Sequence, residues 1–124
     1  MKLNFNEKGL IPAIIQDYKT GKVLTLCYMN EDALNRSLAE GKICVFRRSK
    51  NKVMLKGEVS GNIQAVREVF VDCCNNSVLF KVEQKTAACH DGYFTCYFRK
   101  IDKDGNEKIA EKRVFNPKDV YKAE

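Results

Sequence analysis

Apolar and polar residues alternate along most of the chain, the pattern typical of β-strands that are buried on one face. The predicted strands cover residues 10–16, 22–29, 42–47, 63–74, 77–84, 92–101 and 106–114. Turn-forming residues separate several of these strands. Asn75 and Asn76 are predicted to form a two-residue hairpin turn, because Asn tolerates a positive φ.

One segment breaks this alternation and predicts a helix. Asn30 is a typical N-cap, and Gly41 is a typical residue at which a helix stops. One face of this helix is predicted to carry Ala33, Leu34, Ser37 and Leu38. Residues 116–121 are predicted to form one further helical turn. The fold class predicted is therefore α+β, a mostly antiparallel sheet with one main helix, in a single domain spanning residues 1–124.

Composition narrows the functional classes. The chain is 44% hydrophobic and 31% charged, with no long apolar run and no apolar stretch at its start. We therefore expect a cytoplasmic protein with no membrane partner. The net charge of +6 suits an anionic partner such as a phosphorylated metabolite, although a merely basic surface would give the same value. Without a long basic run or a nucleic-acid motif, we expect no nucleic-acid partner.

Six cysteines could form disulfides, but in a cytoplasmic chain we expect reduced thiols that are buried or bind metal. Cys27 and Cys44 have apolar neighbours and are predicted to fill the core. The four that remain as candidate ligands lie nearer polar or turn-forming residues: Cys73, Cys74, Cys89 and Cys96.

The strongest local pattern runs from residue 88 to residue 92 and reads Ala-Cys-His-Asp-Gly, with Cys96 shortly after it. Together with Cys73, it offers three thiols, and three protein ligands plus a water form a catalytic zinc site. This spacing alone also fits buried structural thiols. His90, the single histidine, is a candidate general acid or base, and an exposed structural role is its alternative.

Two further segments carry candidate binding groups. The loop 56–62 holds glycines that let backbone N–H groups approach an anion, while Arg47, Arg48 and Lys50 could contact phosphate. An ordinary polar loop and a solvated basic turn are the alternatives. In an extended strand, Asp72 and Cys74 would face one side and Cys73 the other, so the segment could serve two metal sites. The alternative is a plain hairpin tip.

These segments, in this order, resemble the phosphoribosyl-AMP cyclohydrolases of histidine biosynthesis over nearly the whole chain. The family's K-G-E-x-S-G-N loop matches residues 56–62. Its A-C-H-x-G segment and following cysteine match residues 88–92 and Cys96. The resemblance implies a zinc-dependent hydrolase that adds water at C6 of an N1-phosphoribosylated adenine and breaks the N1–C6 bond.

The resemblance also implies an intertwined homodimer with two sites at the subunit interface. Zinc would be held by Cys73 from one subunit and by Cys89 and Cys96 from the other. His90 would transfer a proton, with Glu58 as a second catalytic candidate. The residues implied to bind the substrate and its phosphates are Arg48, Lys50, Lys56, Gly57, Ser60, Gly61 and Asn62.

The chain departs from the family pattern at the hairpin. The family's D-C-D-x-D motif binds magnesium through three carboxylates, and here only Asp72 remains, beside Cys74 and Asn76. A thiol is a poor ligand for Mg²⁺, so the predicted magnesium site is weakened. Lys50 and Met54 replace a family arginine and tryptophan. Two alternatives follow: a divergent paralogue acting on a related nucleotide or heterocycle, and a non-catalytic zinc-binding protein.

Overall fold

The computed structural model describes residues 2–120. Its elements, in chain order, are β1 (Ile11–Asp17), β2 (Val23–Met29), α1 (Glu31–Glu40), β3 (Cys44–Arg47), β4 (Lys52–Leu55), β5 (Gln64–Val71), β6 (Val78–Gln84), β7 (Arg99–Ile101), β8 (Glu107–Ile109) and α2 (Pro117–Val120). The main sheet has the strand order β2-β1-β6-β5. The hairpins β3-β4 and β7-β8 form two separate two-stranded sheets. The predicted α+β class is confirmed.

Among residues 2–120, strand pairing is antiparallel with one exception. β1 runs parallel to β6, while β1-β2, β5-β6, β3-β4 and β7-β8 are antiparallel. Two parallel neighbouring strands require a crossover connection. Between β1 and β6, the chain passes through β2, the helix, the β3-β4 hairpin and β5.

The main helix forms as its sequence predicts. The Asn30 side chain accepts the N–H of Ala33, and Gly41 adopts a left-handed conformation with φ of 69°. Ala33, Leu34 and Ser37 are buried, but Leu38 is 53% exposed. The buried stripe of the helix is therefore narrower than the face that the apolar pattern indicates.

The core lies where the inner face of the sheet meets the helix. Alternate residues of β1 point inward, and Ile11, Ala13 and Ile15 are fully buried. Phe80 and Val82 of the neighbouring β6 are buried beside them. Such alternation is expected for a sheet that is covered on one face only.

The outer face of the sheet carries an apolar row that crosses all four strands. In the strand register, Ile14 lies opposite Leu26 on one side and Leu79 on the other, and Leu79 lies opposite Phe70. Leu26 is 45% exposed, Phe70 46% and Ile14 37%. We call these four residues the outer row.

The predicted strand 63–74 ends earlier than expected, at Val71. The Asp72 carboxylate accepts the N–H groups of Asn76 and Ser77, at 2.8 and 3.2 Å, and this closes a turn. The loop is therefore longer than the predicted two-residue turn, although Asn75 does adopt a positive φ of 58°. The alternation of Asp72, Cys73 and Cys74 across an extended strand was wrong.

Two predicted strands shrink to short pieces, and one strand was missed. Only Arg99–Ile101 and Glu107–Ile109 are extended in the regions 92–101 and 106–114. Lys52–Leu55 pairs with β3, although it was not predicted as a strand.

Residues 92–98 form a loop because their polar groups make hydrogen bonds that do not belong to strand pairing. The Thr95 hydroxyl donates to the carbonyl of Val23 at 2.7 Å and accepts the N–H of Tyr97 at 2.9 Å. Such side-chain bonds to backbone compete with strand pairing.

The C-terminal prediction is met in part. Pro117–Val120 forms a single helical turn, while Tyr121 lies outside the described residues. Within residues 2–120, no helix is long and apolar enough to cross a membrane.

Candidate active site

A cavity of about 950 Å³ gathers residues from three of the segments singled out by sequence. The β3-β4 hairpin, the loop 56–62 and the segment 88–96 all contribute to its wall. The predicted site residues that line it are Lys50, Lys56, Gly57, Glu58, Ser60, Asn62, His90 and Cys96. The structure thus brings the candidate cationic, acidic and thiol groups to one place.

The loop 56–62 folds tightly back on itself at Gly57. Its φ is +86°, and a Cβ added there would lie 2.5 Å from the carbonyl carbon of Asn62. The carbonyl of Gly57 accepts the N–H of Gly61 at 2.7 Å, and the Ser60 hydroxyl accepts the N–H of Asn62 at 3.1 Å. Glycine is required at position 57 because both the conformation and the close approach exclude a side chain.

Lys56 connects this loop to the cysteine–histidine segment. Its Nζ donates to the carbonyl of Ala88 at 3.4 Å, and Ala88 directly precedes Cys89 and His90. The ammonium group therefore holds two walls of the cavity together and still has further donors for a ligand.

Cationic and acidic side chains share the cavity wall. Arg47 and Lys50 contribute positive charge from the β3-β4 hairpin, and Glu58 and Asp91 contribute carboxylates. Arg48 lies in the β3-β4 turn and, within residues 2–120, does not line the cavity, whereas Arg47 does. Arg47 is the last residue of β3 and Arg48 already belongs to the turn, so the two neighbouring arginines separate where the strand ends.

Cys89 and Cys96 lie close enough to interact electrostatically. Cys89 is buried and Cys96 is half-buried. Backbone bonds hold both: the N–H of Cys89 donates to Tyr93 at 3.1 Å, and that of Cys96 donates to Leu24 at 2.7 Å. Burial raises the pKa of the Cys89 thiol, and the neighbouring Cys96 raises it further.

Cys73 lies at the other end of strand β6. The seven residues of that strand span about 23 Å at about 3.3 Å per residue. Cys73 precedes the strand and Cys89 follows it, so one chain does not bring the three predicted zinc ligands together. Within residues 2–120, no group of three potential ligands is close enough to hold a metal.

His90 is at the mouth of the cavity. Its side chain is 80% exposed, and its Nε2 lies 3.6 Å from Oδ1 of Asp91. The backbone beyond it is fixed at Gly92, where φ is +93° and an added Cβ would collide with the carbonyl oxygen of Phe115. The N–H of Val114 donates to the carbonyl of Gly92 at 2.7 Å, so the C-terminal segment packs against this loop.

Some lining residues had no role in the sequence analysis. They are Thr25, Leu55, Val59, Asp91 and Pro117. Asp91 adjoins His90 and Val59 lies within the glycine loop, so proximity to those motifs could have identified them. Thr25 and Pro117 are distant along the chain, and no sequence signal marks them.

The hairpin tip offers few suitable ligands for a magnesium ion. Burial raises the pKa of Asp72, but the hydrogen bonds from Asn76 and Ser77 outweigh it and hold that pKa below its usual value. One carboxylate oxygen is thus already occupied by the turn's own backbone. Cys74 offers a thiol where a hard oxygen ligand is needed. The tip also lies outside the cavity lining described above.

Comparisons with known proteins point to one family. The family model described as phosphoribosyl-AMP cyclohydrolase matches residues 25–98. A phosphoribosyl-AMP cyclohydrolase of Desulforapulum autotrophicum is 51% identical over 124 residues, covering 98% of this chain and 99% of that protein.

Two further relatives carry the same name. That of Chlorobium phaeovibrioides is 45% identical over 119 residues, covering 96% of this chain and 87% of the relative. That of Pelotomaculum thermopropionicum is also 45% identical, covering 96% of this chain and 92% of the relative. Because these matches extend over nearly the whole chain and include every segment that lines the cavity, the chain belongs to the phosphoribosyl-AMP cyclohydrolase family.

Proposed function

We propose that this chain hydrolyses the N1–C6 bond of the adenine ring of phosphoribosyl-AMP, a step of histidine biosynthesis. Water adds its oxygen to C6, the N1–C6 bond breaks, and N1 receives a proton. The observation that carries this proposal is the single cavity that brings the glycine loop, the cationic hairpin and the Cys-His segment together.

The cavity's cations suit a substrate with two phosphates. Arg47 and Lys50 lie on the hairpin wall, and Lys56 lies on the loop wall. An arginine fork can hold phosphate through two hydrogen bonds, while an ammonium group acts as a point charge. Two separate cationic walls therefore match a nucleotide that is phosphorylated at both ends.

Proton transfer falls to His90 and, secondarily, to Glu58. Both side chains line the cavity, and His90 is accessible to solvent. The imidazole can take the proton that the attacking water loses and deliver it to N1 as the bond breaks. Asp91, whose Oδ1 lies 3.6 Å from Nε2 of His90, adds a carboxylate beside the ring.

Cys89 and Cys96 fit a zinc ion as donors. They are soft ligands, they lie near each other, and Cys96 lines the cavity. When bound, zinc supplies a water of lowered pKa near neutral pH. A third thiolate would come from Cys73 of a second copy, because this chain's own Cys73 lies at the far end of β6.

A second copy also accounts for the outer row. An apolar row that crosses four strands is unusual on the surface of a monomer. Tyr28, 43% exposed, lies opposite Pro12 beside this row and extends it. We therefore place the homodimer interface on this face, which lets each subunit offer its hairpin tip to the other.

An absorbance assay tests the reaction directly. Zinc-loaded protein is mixed with phosphoribosyl-AMP, with and without magnesium, and opening of the ring is followed. We expect turnover that persists after magnesium is removed, because the hairpin tip offers that ion few suitable ligands. The control is the same protein carrying Cys89→Ser, which is expected to lose both zinc and turnover.

Other outcomes distinguish the alternatives. Turnover that requires magnesium would show that Asp72 and substitute ligands suffice to bind it. A dimer that binds zinc but gives no turnover would contradict the proposed substrate and favour a paralogue that acts on a related nucleotide. Full activity of Cys89→Ser without bound metal would contradict the zinc assignment.

A further inference from the structure

Gln84, the last residue of β6, binds two walls of the cavity from outside it. Its side-chain Nε2 donates to three backbone carbonyls, those of Asn62 at 3.3 Å, Lys85 at 2.9 Å and Ala87 at 3.1 Å. Asn62 ends the glycine loop, residues 56–62, and Ala87 directly precedes the Cys-His segment, residues 88–96. Among residues 2–120, Gln84 is not part of the cavity lining. One amide group therefore connects the two walls without facing a ligand.

We propose that Gln84 is a positioning residue that sets the separation between the glycine loop and the Cys-His segment. It thereby aligns a substrate held by the loop with the reacting groups of the segment. This inference rests on the proposed function, which assigns substrate binding to the loop and proton transfer to His90. Gln84 acts through the backbone carbonyls that it binds, so it is not itself a catalytic residue.

Gln64, the first residue of β5, holds the Gln84 side chain in place. The two residues lie opposite each other in the antiparallel pair, and Nε2 of Gln64 donates to Oε1 of Gln84 at 2.6 Å. Gln64 is fully buried, and a hydrogen bond shielded from water is electrostatically stronger than an exposed one. This bond occupies the Gln84 oxygen and leaves both of its N–H donors for the loop carbonyls.

The segment that follows Gln84 turns sharply and needs such support. Thr86 adopts a positive φ of 58°, which is uncommon for a residue with a side chain. The carbonyls on either side of it, those of Lys85 and Ala87, are both bound by Gln84. Because the Cys-His segment begins directly after this turn, a change in the turn moves the reacting groups.

A second bond joins the same two walls, but a ligand can compete for it. Nζ of Lys56 donates to the carbonyl of Ala88 at 3.4 Å, and Lys56 lines the cavity. A phosphate of the substrate would draw this ammonium group toward itself. The Gln84 amide lies outside the cavity, so its bonds persist in the complex. The spacing of the walls therefore depends on Gln84 once substrate is bound.

Gln84→Met tests this role, because methionine is also unbranched and of similar length but lacks the amide. The variant and the unaltered chain are compared in the ring-opening assay as folded, zinc-loaded protein. We expect kcat to fall at least about tenfold and KM to change less than about threefold. The cationic groups that bind phosphate stay in place, while the reacting groups lose their alignment. A merely structural role would leave kcat per folded molecule unchanged.

Two further variants frame this result. Gln64→Met frees the Gln84 side chain without removing its donors, so kcat should fall in the same direction but less. Gln16→Met is the matched control, since Nε2 of Gln16 also donates to a backbone carbonyl, that of Gly21 at 2.9 Å, in the turn between β1 and β2. It should leave kcat and KM unchanged.

Alkylation of the metal-free protein gives a readout that needs no turnover. Cys89 is only 4% exposed, so loosening of its segment should speed its alkylation in Gln84→Met at least about tenfold. Cys44, fully buried in the core, reports global unfolding and should stay slow. If the unaltered chain does not turn over phosphoribosyl-AMP, the proposed hydrolysis fails, and this alkylation rate still decides whether Gln84 holds the segment.

The proposal is overturned if Gln84→Met retains the parent's kcat, or if KM alone rises. It is also overturned if Cys89 is alkylated no faster in that variant than in Gln16→Met. Circular dichroism checks that each variant is folded. Should Gln84→Met not fold, Gln64→Met decides by the same measurements. Failure of both to fold would make the pair purely structural and contradict the positioning role.

Discussion

At the scale of single residues, His90 is the group whose removal should separate chemistry from structure. Its side chain is 80% exposed and packs little, so His90→Ala should leave the fold intact. We expect turnover to fall by about 10²–10⁴-fold, the usual contribution of a general acid or base. The measurement is the ring-opening rate at saturating substrate, with bound zinc quantified in the same samples. An unchanged rate would remove its catalytic role.

The cysteines should differ in their reactivity with pH. Burial raises the pKa of both Cys27 and Cys44 to about 11, opposed at Cys27 by the charge of Lys56 and aided at Cys44 by its bond to Glu40. At pH 8 about one in a thousand of these groups is a thiolate. Alkylation of metal-free protein followed by peptide mass spectrometry should therefore label Cys73 and Cys74 first.

The same shifts fix the sign of a stability effect. Both pKa values are raised in the folded state. The contribution of these two buried thiols to the free energy of unfolding is therefore fully present below their unfolded-state pKa of about 8.5. It is lost as pH rises toward 11. Labelling of Cys27 at pH 8 as fast as that of Cys73 would contradict both expectations.

Residues next to a motif were easier to identify from sequence than residues that meet it in space. The placement of His90 and Cys96 on one cavity wall follows from a short contiguous segment. Arg47, the last residue of β3, lines the cavity and Arg48 in the turn does not, a difference that the sequence pattern did not predict. Thr25 and Pro117 reach the cavity only through tertiary packing.

At the scale of elements, the glycine loop depends on Gly57. A Cβ there would lie 2.5–2.7 Å from backbone atoms of Asn62 and Ile63, so Gly57→Ala must displace the loop. We expect a loss of about 1–3 kcal/mol in the free energy of unfolding and a KM raised at least about tenfold. Chemical denaturation and steady-state kinetics measure the two effects.

Gly21→Ala is the matched control for this change. Gly21 has a similar φ of +78°, but nothing lies within 4 Å of an added Cβ. Gly21→Ala should lower the free energy of unfolding by about 1–2 kcal/mol from backbone strain alone and leave KM unchanged. An unaltered KM in Gly57→Ala would show that the loop does not position the substrate.

Elements with local signals were predicted well, and those decided by distant contacts were not. Helix α1 has an N-cap at Asn30 and a stop at Gly41, both short-range features. Residues 92–98 are apolar enough for a strand, yet Thr95 bonds to the start of β2 and leaves them as a loop. The parallel pairing of β1 with β6 also depends on a crossover that no local pattern encodes.

At the scale of the whole molecule, the proposed site and the outer row require the same assembly. Within one chain, Cys73 precedes β6 and Cys89 follows it, and that strand spans about 23 Å. The same chain leaves Ile14, Leu26 and Phe70 exposed on one sheet face. In the proposed homodimer, an isologous interface would bury this patch on each subunit, and each hairpin tip would supply Cys73 to the other subunit.

Ile14→Lys tests this assembly. Ile14 lies at the centre of the outer row, and the two-fold symmetry would place two added charges in one apolar interface. We expect the dimer dissociation constant to rise at least about a hundredfold and zinc binding and turnover to fall together as the dimer is lost. Sedimentation over a range of concentrations measures the dissociation, and turnover should recover partly at high protein concentration.

Ile109→Lys provides the comparison, because Ile109 is 60% exposed on the separate β7-β8 hairpin and the substitution is the same. It should leave the dimer, the bound zinc and the turnover unchanged. If Ile14→Lys dissociates the subunits but retains zinc and turnover, each site is complete within one chain, and the shared ligand set is wrong. If it neither dissociates the subunits nor lowers activity, the outer row is not the interface, and another surface must bring Cys73 to the thiols of the second copy.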